Sequence, residues 1–337
     1  MLDRPIVVAG AGSIGCFVGG ALASAGRRVS LLARPRVIEE IGRYGLTLTS
    51  VDGSFPHIAP DRLKLSEDPA ILGDAGMVLV TVKSVDTAEV AGLIARYAPS
   101  DVVIISLQNG VANPAVLREQ LPGRKVLGAM VPFNVIAASE GRFHRATSGD
   151  IVIERDPAAI AAQLSVKGLP IRATDDIAGV QWGKLLVNLN NAMDALSGLT
   201  LREELAQRSW RMLFADQMAE GLRVLKAEGI HPVSSTPLPL HWIPHLLRLP
   251  DALFALVLAT AMKIDPHARS SMYDDLQRGR RTEIDFLQGA IIEIAARRGL
   301  QVPLSRRIVT LIKDAEAGGR GSPNLRPEQV RSEIRQP

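Results

Sequence analysis

Lys184, Asn188 and Asn191 stand in the segment Gln181–Met193, QWGKLLVNLNNAM, among apolar residues that would bury most of a helix surface. At about 100° per residue, Asn188 falls about 40° from Lys184 and Asn191 about 20° on its other side, so the three form one polar stripe. A lysine in such a stripe can give a proton or a hydrogen bond to a carbonyl oxygen, and flanking amides can fix a substrate's orientation. A helix whose polar face simply meets water would show the same pattern. Glu283, in RRTEIDFL, is the second polar intrusion. Helical steps forward from it give Leu287, Ala290, Ile291 and Ile294, which sets its carboxylate on the edge of an apolar stripe. A buried carboxylate needs a partner, and Lys184 is a candidate. A carboxylate at a helix N-terminus, facing the dipole or Arg280, is the other reading.

A different chemistry is written near the N-terminus. The apolar run Ile6–Ala9 leads into Gly10-x-Gly12-x-x-Gly15, then into a helix of small residues and a β-rich run, Val29–Leu32. In a strand, turn, helix, strand unit the three glycines serve a tight turn, close approach of the backbone to a pyrophosphate, and close packing of helix on strand. The pyrophosphate would sit at the helix N-terminus, where Ser13 and Ile14 join the three glycines as cofactor-binding positions. NAD-selective sites place a carboxylate about 20 residues beyond the glycines. Here the strand ends LLARPR, with no carboxylate before Glu39. Arg34 and Arg36 offer planar forks of donors to a 2′-phosphate instead, so NADP(H) is the expected cofactor. Solvated loop arginines are the alternative.

Ligands of open parallel sheets gather beyond the carboxyl ends of strands. Lys83 follows the run Met77–Val82, and Asn109 follows Val102–Leu107. Either could meet the nicotinamide or the substrate, or be a turn residue.

These positions need two kinds of scaffold. Continuous β-branched runs at 6–9, 29–32, 77–82 and 102–107 are those of parallel strands covered on both faces. Further strands are expected at 128–132, 151–154 and 171–174, and helices at 68–72, 86–97 and 114–119. After Asp175 the texture becomes helical, at 177–197, 203–228, 253–263, 274–298 and 305–316. Five prolines between 232 and 250 make an irregular connection. The expected organisation is an α/β Rossmann-type dinucleotide-binding domain at 1–174, an all-helical catalytic domain at 175–317, and a loosely ordered polar tail at 318–337.

Composition bounds the partners. In 337 residues, 47% are hydrophobic, 22% are charged and the net charge is +4, which describes a globular protein with room for two cores. Basic residues are scattered and aromatics are 4%, so no nucleic-acid surface is expected. The longest apolar stretch, 252–262, is too short for a bilayer, and no signal core precedes Ile6, so a cytoplasmic protein without a membrane partner is expected. The single cysteine, Cys16, excludes an intramolecular disulfide; it is either a buried packing residue or a thiol acidified by the helix N-terminus. His241 and His245 have metal-ligand spacing, but Pro244 lies between them and no third ligand is evident, so no metal is expected.

The chain resembles the ketopantoate reductases, or 2-dehydropantoate 2-reductases, from the Gly10 loop to about Lys313. GAGSIG, LVTVK ending at Lys83, QNG with Asn109, WGKLLVN, and SSMYDDLQRGRRTEID with Ser271 and Glu283 carry the resemblance. It implies NADPH-dependent reduction of ketopantoate to (R)-pantoate in pantothenate biosynthesis. Lys184 would be the general acid and Glu283 an active-site carboxylate. Asn109, Asn188 and Ser271 would lie near the substrate, and Arg34 at the cofactor phosphate. The partner is then a small 2-oxo acid, with a homodimer as the assembly to test. One departure stands out: the family commonly has a second asparagine, then proline, eight residues after the lysine, where this chain has Ala192 and Met193. Asn191, which helical geometry puts near Lys184, is one candidate to take that asparagine's place, and a one-residue deletion that restores the match is the other. Another 2-oxo acid or carbonyl as substrate, or a non-catalytic redox sensor, are the other functions in view.

Overall fold

The computed structural model describes residues 4–51, 53–235, 238–261 and 268–332. The chain divides into two compact units, Met1–Ala178 and Gly179–Pro337, one helical turn beyond the expected boundary at 174/175.

The first unit holds strands β1 (Ile6–Ala9), β2 (Val29–Leu32), β3 (Thr47–Ser50), β4 (Gly53–Ser54), β5 (Lys64–Ser66), β6 (Met77–Val80), β7 (Val103–Ser106), β8 (Lys125–Met130), β9 (Val135–Ala137), β10 (Arg142–Arg145), β11 (Ile151–Glu154) and β12 (Ile171–Thr174). Its helices are α1 (Ser13–Ser24), α2 (Pro35–Tyr44), α3 (Thr87–Tyr97), α4 (Asn113–Gln120) and α5 (Ile160–Leu164). The main sheet runs β12-β11-β8-β7-β6-β1-β2-β5, parallel throughout except where β11 meets β8. The fold is α/β and doubly wound. From β1 the chain builds outward through β2 and β5, then crosses to β6 on the other side, so the strand order reverses beside β1. Side chains of β1 alternate between two cores. Ile6 and Val8 join Phe17, Leu22 and Leu31, while Val7 and Ala9 join Val80, Val90, Ile94 and Ile104. Burial on both faces explains why the central strands are written as unbroken apolar runs.

A second sheet, β4-β3-β10-β9, lies outside the strands expected from the sequence. Its strands are short and partly exposed, and β3 pairs with β10 across roughly a hundred residues, a pairing no local pattern reveals.

All elements of the second unit are helical among the described residues. They are α6 (Ile177–Asn188, begun at the end of the first unit), α7 (Asn190–Ser197), α8 (Leu201–Ala206), α9 (Arg208–Glu228), α10 (Ile243–Leu247), α11 (Asp251–Ala261), α12 (Ser271–Gln277), α13 (Ile284–Arg297), α14 (Pro303–Gly318) and α15 (Pro327–Arg331). Four expectations need correction. The helix expected over 203–228 is two, α8 and α9, parted at Gln207, whose φ and ψ of −99° and 115° are extended. The helix expected over 177–197 is interrupted at Leu189, which keeps helical φ and ψ of −55° and −27°. The helix expected over 274–298 is two helices, because the chain leaves α12 through Gly279 at a φ of 59° and starts again at Glu283. The expected loose tail is in fact docked. The Leu325 N–H donates to the Leu196 carbonyl at 2.8 Å, Val330 is fully buried on α15, and Arg331 pairs with Asp216 at 2.6 Å. Of the helix expected at 253–263, residues 262 and 263 lie outside the described residues, as do 333–337 of the tail and Pro237 of the proline-rich connection.

Candidate functional site

In the first unit, Ala9, Leu32, Val80 and Ser106 stand in one register row. The chain therefore carries Gly10, Arg34, Lys83 and Asn109 away from the same carboxyl edge. The N–H groups of Gly10 and Ala11 both donate to the Leu32 carbonyl, at 3.3 and 3.1 Å, and hold the glycine loop against the end of β2. Gly10 has a φ of +100°, where a side chain is strained, and a Cβ there would lie 2.5 Å from Val82 Cγ1. A Cβ on Gly15 would lie 2.6 Å from both the Gly10 carbonyl oxygen and Thr81 Oγ1. Gly12 differs: its φ is −85°, and a Cβ on it would meet nothing within 4 Å. Two glycines are thus demanded by the protein's own packing, and one faces open space at the start of α1. No side chain caps that helix and no acidic residue sits in its first turn, which leaves the N-terminal N–H groups of Ser13, Ile14 and Gly15 suited to an anion. A dinucleotide pyrophosphate fits this cradle.

Arg34 is exposed at the N-cap position of α2, and its guanidinium has no hydrogen bond or ion pair among the described residues; exposed Arg36 is the same. Both remain available to a 2′-phosphate. Cys16 resolves to the packing residue. Burial pushes its thiol up to about 12, and Sγ contacts the Ala11 carbonyl at 3.4 Å, so the acidified thiol is ruled out.

Behind the strand ends lies a buried network that the sequence reading did not include. Ser106 Oγ donates to Gln108 Oε1 at 2.9 Å, Gln108 Nε2 donates to Thr87 Oγ1 at 2.7 Å, and Thr87 Oγ1 donates to Asn113 Oδ1 at 2.8 Å. Asn113 Nδ2 then donates to the Asn109 carbonyl at 2.6 Å and to Ser84 Oγ at 3.0 Å. This chain of bonds fixes the loops that carry Lys83, which is half-buried, and Asn109, which is exposed. Polar residues just past a strand, at 108 and 113, were the available signal.

In the second unit Lys184 and Asn188 lie one turn apart on α6. Lys184 is half-buried as a residue, and desolvation pushes its ammonium down to about 8, from an ordinary 10.5. Asn188 is buried, and its side chain makes no hydrogen bond to any described residue. Beside this helix, the Val233 N–H donates to the Gly179 carbonyl at 2.8 Å, and a Cβ on Gly183 would collide with the Val233 carbonyl. The proline-rich connection thus lies directly on α6 at the residue before Lys184, a contact that only glycine permits.

Asn191 and the start of α12 are brought together. Ser270, the N-cap of α12, donates from Oγ to the Asn191 carbonyl at 2.9 Å and from its N–H to Asp194 Oδ1 at 2.8 Å. Ser271, the next residue, is exposed, whereas Ser270 is buried. Burial pushes the Asp194 carboxyl up to about 6, with the Ser270 hydrogen bonds and Arg269 opposing. Glu283 is the N-cap residue of α13, its carbonyl accepting from the N–H groups of Phe286 and Leu287 at 3.0 and 3.1 Å. It is half-buried and stands where a carboxylate meets the positive end of the helix. Ala192 and Met193, in place of the asparagine and proline expected from the resemblance, are fully buried.

Residues 6–157 match the family model described as ketopantoate reductase PanE/ApbA, and residues 176–316 match its C-terminal companion. A 2-dehydropantoate 2-reductase of Halobacterium salinarum is 29% identical over 323 residues, spanning 93% of this chain and 99% of that protein. The structure of a PanE/ApbA family ketopantoate reductase from Ralstonia eutropha superposes with a TM-score of 0.79 at 30% identity, covering 94% of this chain and 99% of that one. D-mandelate dehydrogenase, solved with NADH and anilino(oxo)acetate, shares the fold at a TM-score of 0.76 and 20% identity, over 94% of this chain and 99% of that one. With both of its units matched to the two halves of one family, the chain belongs to the ketopantoate reductases, oxidoreductases that act on a ketone and alcohol pair with a nicotinamide dinucleotide.

Proposed function

We propose that this protein reduces 2-dehydropantoate to (R)-pantoate with NADPH, serving pantothenate biosynthesis in the cytoplasm. The observation that carries the reading is the desolvated Lys184 ammonium, with a pKa near 8, one turn from the buried amide of Asn188, which is unbonded among the described residues. An acid of that strength is largely protonated at neutral pH yet gives up its proton readily, which suits a group that protonates a developing alkoxide. The nicotinamide, when bound, supplies the hydride. Lys184 Nζ gives its proton to the ketone oxygen, Asn188 and Asn191 orient the substrate, and Glu283 holds the charge state of the site. Ser271 and Asn109 are the remaining substrate positions. Gly10, Gly12, Ser13, Ile14 and Gly15 hold the pyrophosphate, Arg34 the 2′-phosphate, and Lys83 and Asn109 the nicotinamide side. No described helix is long and apolar enough to cross a membrane. A homodimer is the assembly we expect, with exposed Trp242 and Leu253 as candidate contact residues; sedimentation decides it.

A second reading, reduction of another 2-oxo acid, is favoured by one observation: Ala192 is fully buried where the resemblance leads one to expect an asparagine. A site built to bond a substrate oxygen rejects an analogue by orders of magnitude when the partner is missing. NADPH oxidation measured across a panel of 2-oxo acids separates the readings. Ketopantoate as the preferred substrate supports the first, turnover of a different acid alone supports the second, and no turnover leaves a dinucleotide-binding sensor. Asn191→Ala should then lower kcat/KM for the preferred acid at least roughly tenfold if its amide orients the substrate. An unchanged value removes Asn191 from the site.

A further inference from the structure

Gln288 lies on α13, little more than a turn beyond Glu283, and is wholly buried. Its Nε2 donates to the Leu189 carbonyl at 2.9 Å. Leu189 is the residue at which α6, with Lys184 and Asn188, gives way to α7, with Asn191. A side-chain amide that enters the backbone ladder is one of the few physical causes of such an interruption.

The surroundings are close-packed. A Cβ on Gly221 of α9 would lie 2.6 Å from Leu186 Cδ2, 3.5 Å from Leu189 Cδ1 and 3.8 Å from Ile291 Cδ1, so α6, α9 and α13 meet in one layer at the interruption. Within it, Gln288 Oε1 is buried and has no hydrogen-bond partner among the described residues. Half of this amide is therefore satisfied and half is not. Methionine has nearly the same volume and would fill the position without the desolvation cost of an unpaired carbonyl. As packing, glutamine is the poorer choice; its contribution is the bond to Leu189.

We infer that Gln288 is a positioning residue, which ties the helix begun by Glu283 to the α6–α7 junction and sets Lys184 and Asn188 in relation to Asn191. The catalytic part of this inference rests on the function proposed above. Without the amide, the Leu189 carbonyl loses a buried donor and the junction can relax, moving the lysine and both asparagines while the core stays apolar.

The test is Gln288→Met in the full chain, with turnover and amide hydrogen exchange measured on the same protein. The expected result is a loss in kcat of roughly tenfold or more, NADPH affinity within about twofold of the parent, and a displaced alkaline limb of the kcat–pH profile. Amides of 190–193 should exchange roughly tenfold faster while those of α14 stay unchanged. A folded variant with an unmoved pH profile, or with unchanged exchange at 190–193, overturns the inference. If the parent protein reduces no 2-oxo acid, the functional reading fails and exchange alone decides this one. Should Gln288→Met not fold, Gln288→Glu takes its place. A neutral acid at this position donates to Leu189 as the amide does, so turnover should survive at low pH and fall as the carboxyl ionises, and a profile parallel to the parent's overturns the proposal.

Discussion

Lys184 and Arg34 are both cations, and the structure treats them in opposite ways. Desolvation holds Lys184 near 8, whereas Arg34 stands in solvent with its guanidinium uncommitted among the described residues. In the proposed role of general acid Lys184 must carry its proton, so on that reading kcat should be level below about pH 8 and fall as pH rises through that value. The same depressed pKa means that the folded state binds fewer protons than the unfolded chain between about 8 and 10.5. This group's effect on stability is therefore a penalty at neutral pH that is relieved as pH rises through that window. Lys184→Ala should lower kcat by roughly a hundredfold or more while NADPH binding, followed by fluorescence titration, stays nearly intact. Near-normal turnover in folded protein would show that another group gives the proton. Arg34→Ala should weaken NADPH much more than NADH, since only the former offers a phosphate to the guanidinium fork. Equal losses for both cofactors in calorimetric titrations would leave the NADP preference without its basis.

At the scale of elements, the glycine loop separates what the fold requires from what a ligand requires. Gly15→Ala pushes a methyl group to 2.6 Å from a backbone oxygen and from Thr81 Oγ1, so the strand and helix must part and both stability and cofactor binding should drop. Gly12→Ala adds its methyl group to open space at a φ of −85° that alanine accepts. It should fold with a melting temperature close to the parent's and yet bind NADPH at least roughly tenfold more weakly, because the methyl group stands where a pyrophosphate would come. Unimpaired NADPH binding by Gly12→Ala would move the phosphate site elsewhere. The βαβ unit was legible because each of its signals is local: an apolar run, three glycines at fixed spacing, a second apolar run. The same holds for the spacing of Lys184 and Asn188 on α6, whereas Asn191 stands on α7. The break at Leu189 was not, since nothing near Leu189 encodes it and the amide that meets its carbonyl comes from Gln288, roughly a hundred residues along the chain. Glu283 stands at a helix N-terminus, the second of its two readings, although the helix expected over 274–298 ran through it. It opens α13 rather than riding inside a long helix, and Gly279 in the preceding RGRR run was the missed sign of the stop.

At the scale of the molecule, the polar C-terminal segment shows how composition misleads when few but well-placed contacts decide. Rich in Gly, Pro and Arg, residues 318–332 read as a tail, yet their backbone meets a helix end that needs it. α7 stops at Ser197, and the last carbonyls of a helix have no partner within it. Leu325 supplies an N–H to the Leu196 carbonyl at 2.8 Å, Asn324 packs so closely on Gly198 that a Cβ there would collide with Oδ1, and Val330 is buried without remainder. Arg331 then pairs with Asp216 of α9, which also holds Arg248 at 2.7 Å. The segment thus closes the C-terminus of α7, and α7 carries Asn191 at its other end. Truncation after Gly319 should therefore do two things that a free tail's removal would not. Loss of the Val330 burial and the Leu196 bond should lower the melting temperature by about 5 °C or more in scanning calorimetry. Loosening α7 should also raise KM for the 2-oxo acid while NADPH affinity, which the proposed function assigns to residues of the first unit, holds. A truncated protein with the parent's melting temperature and KM would mean that these contacts contribute nothing in solution. A loss of stability without a change in KM would confine the segment's role to holding the fold.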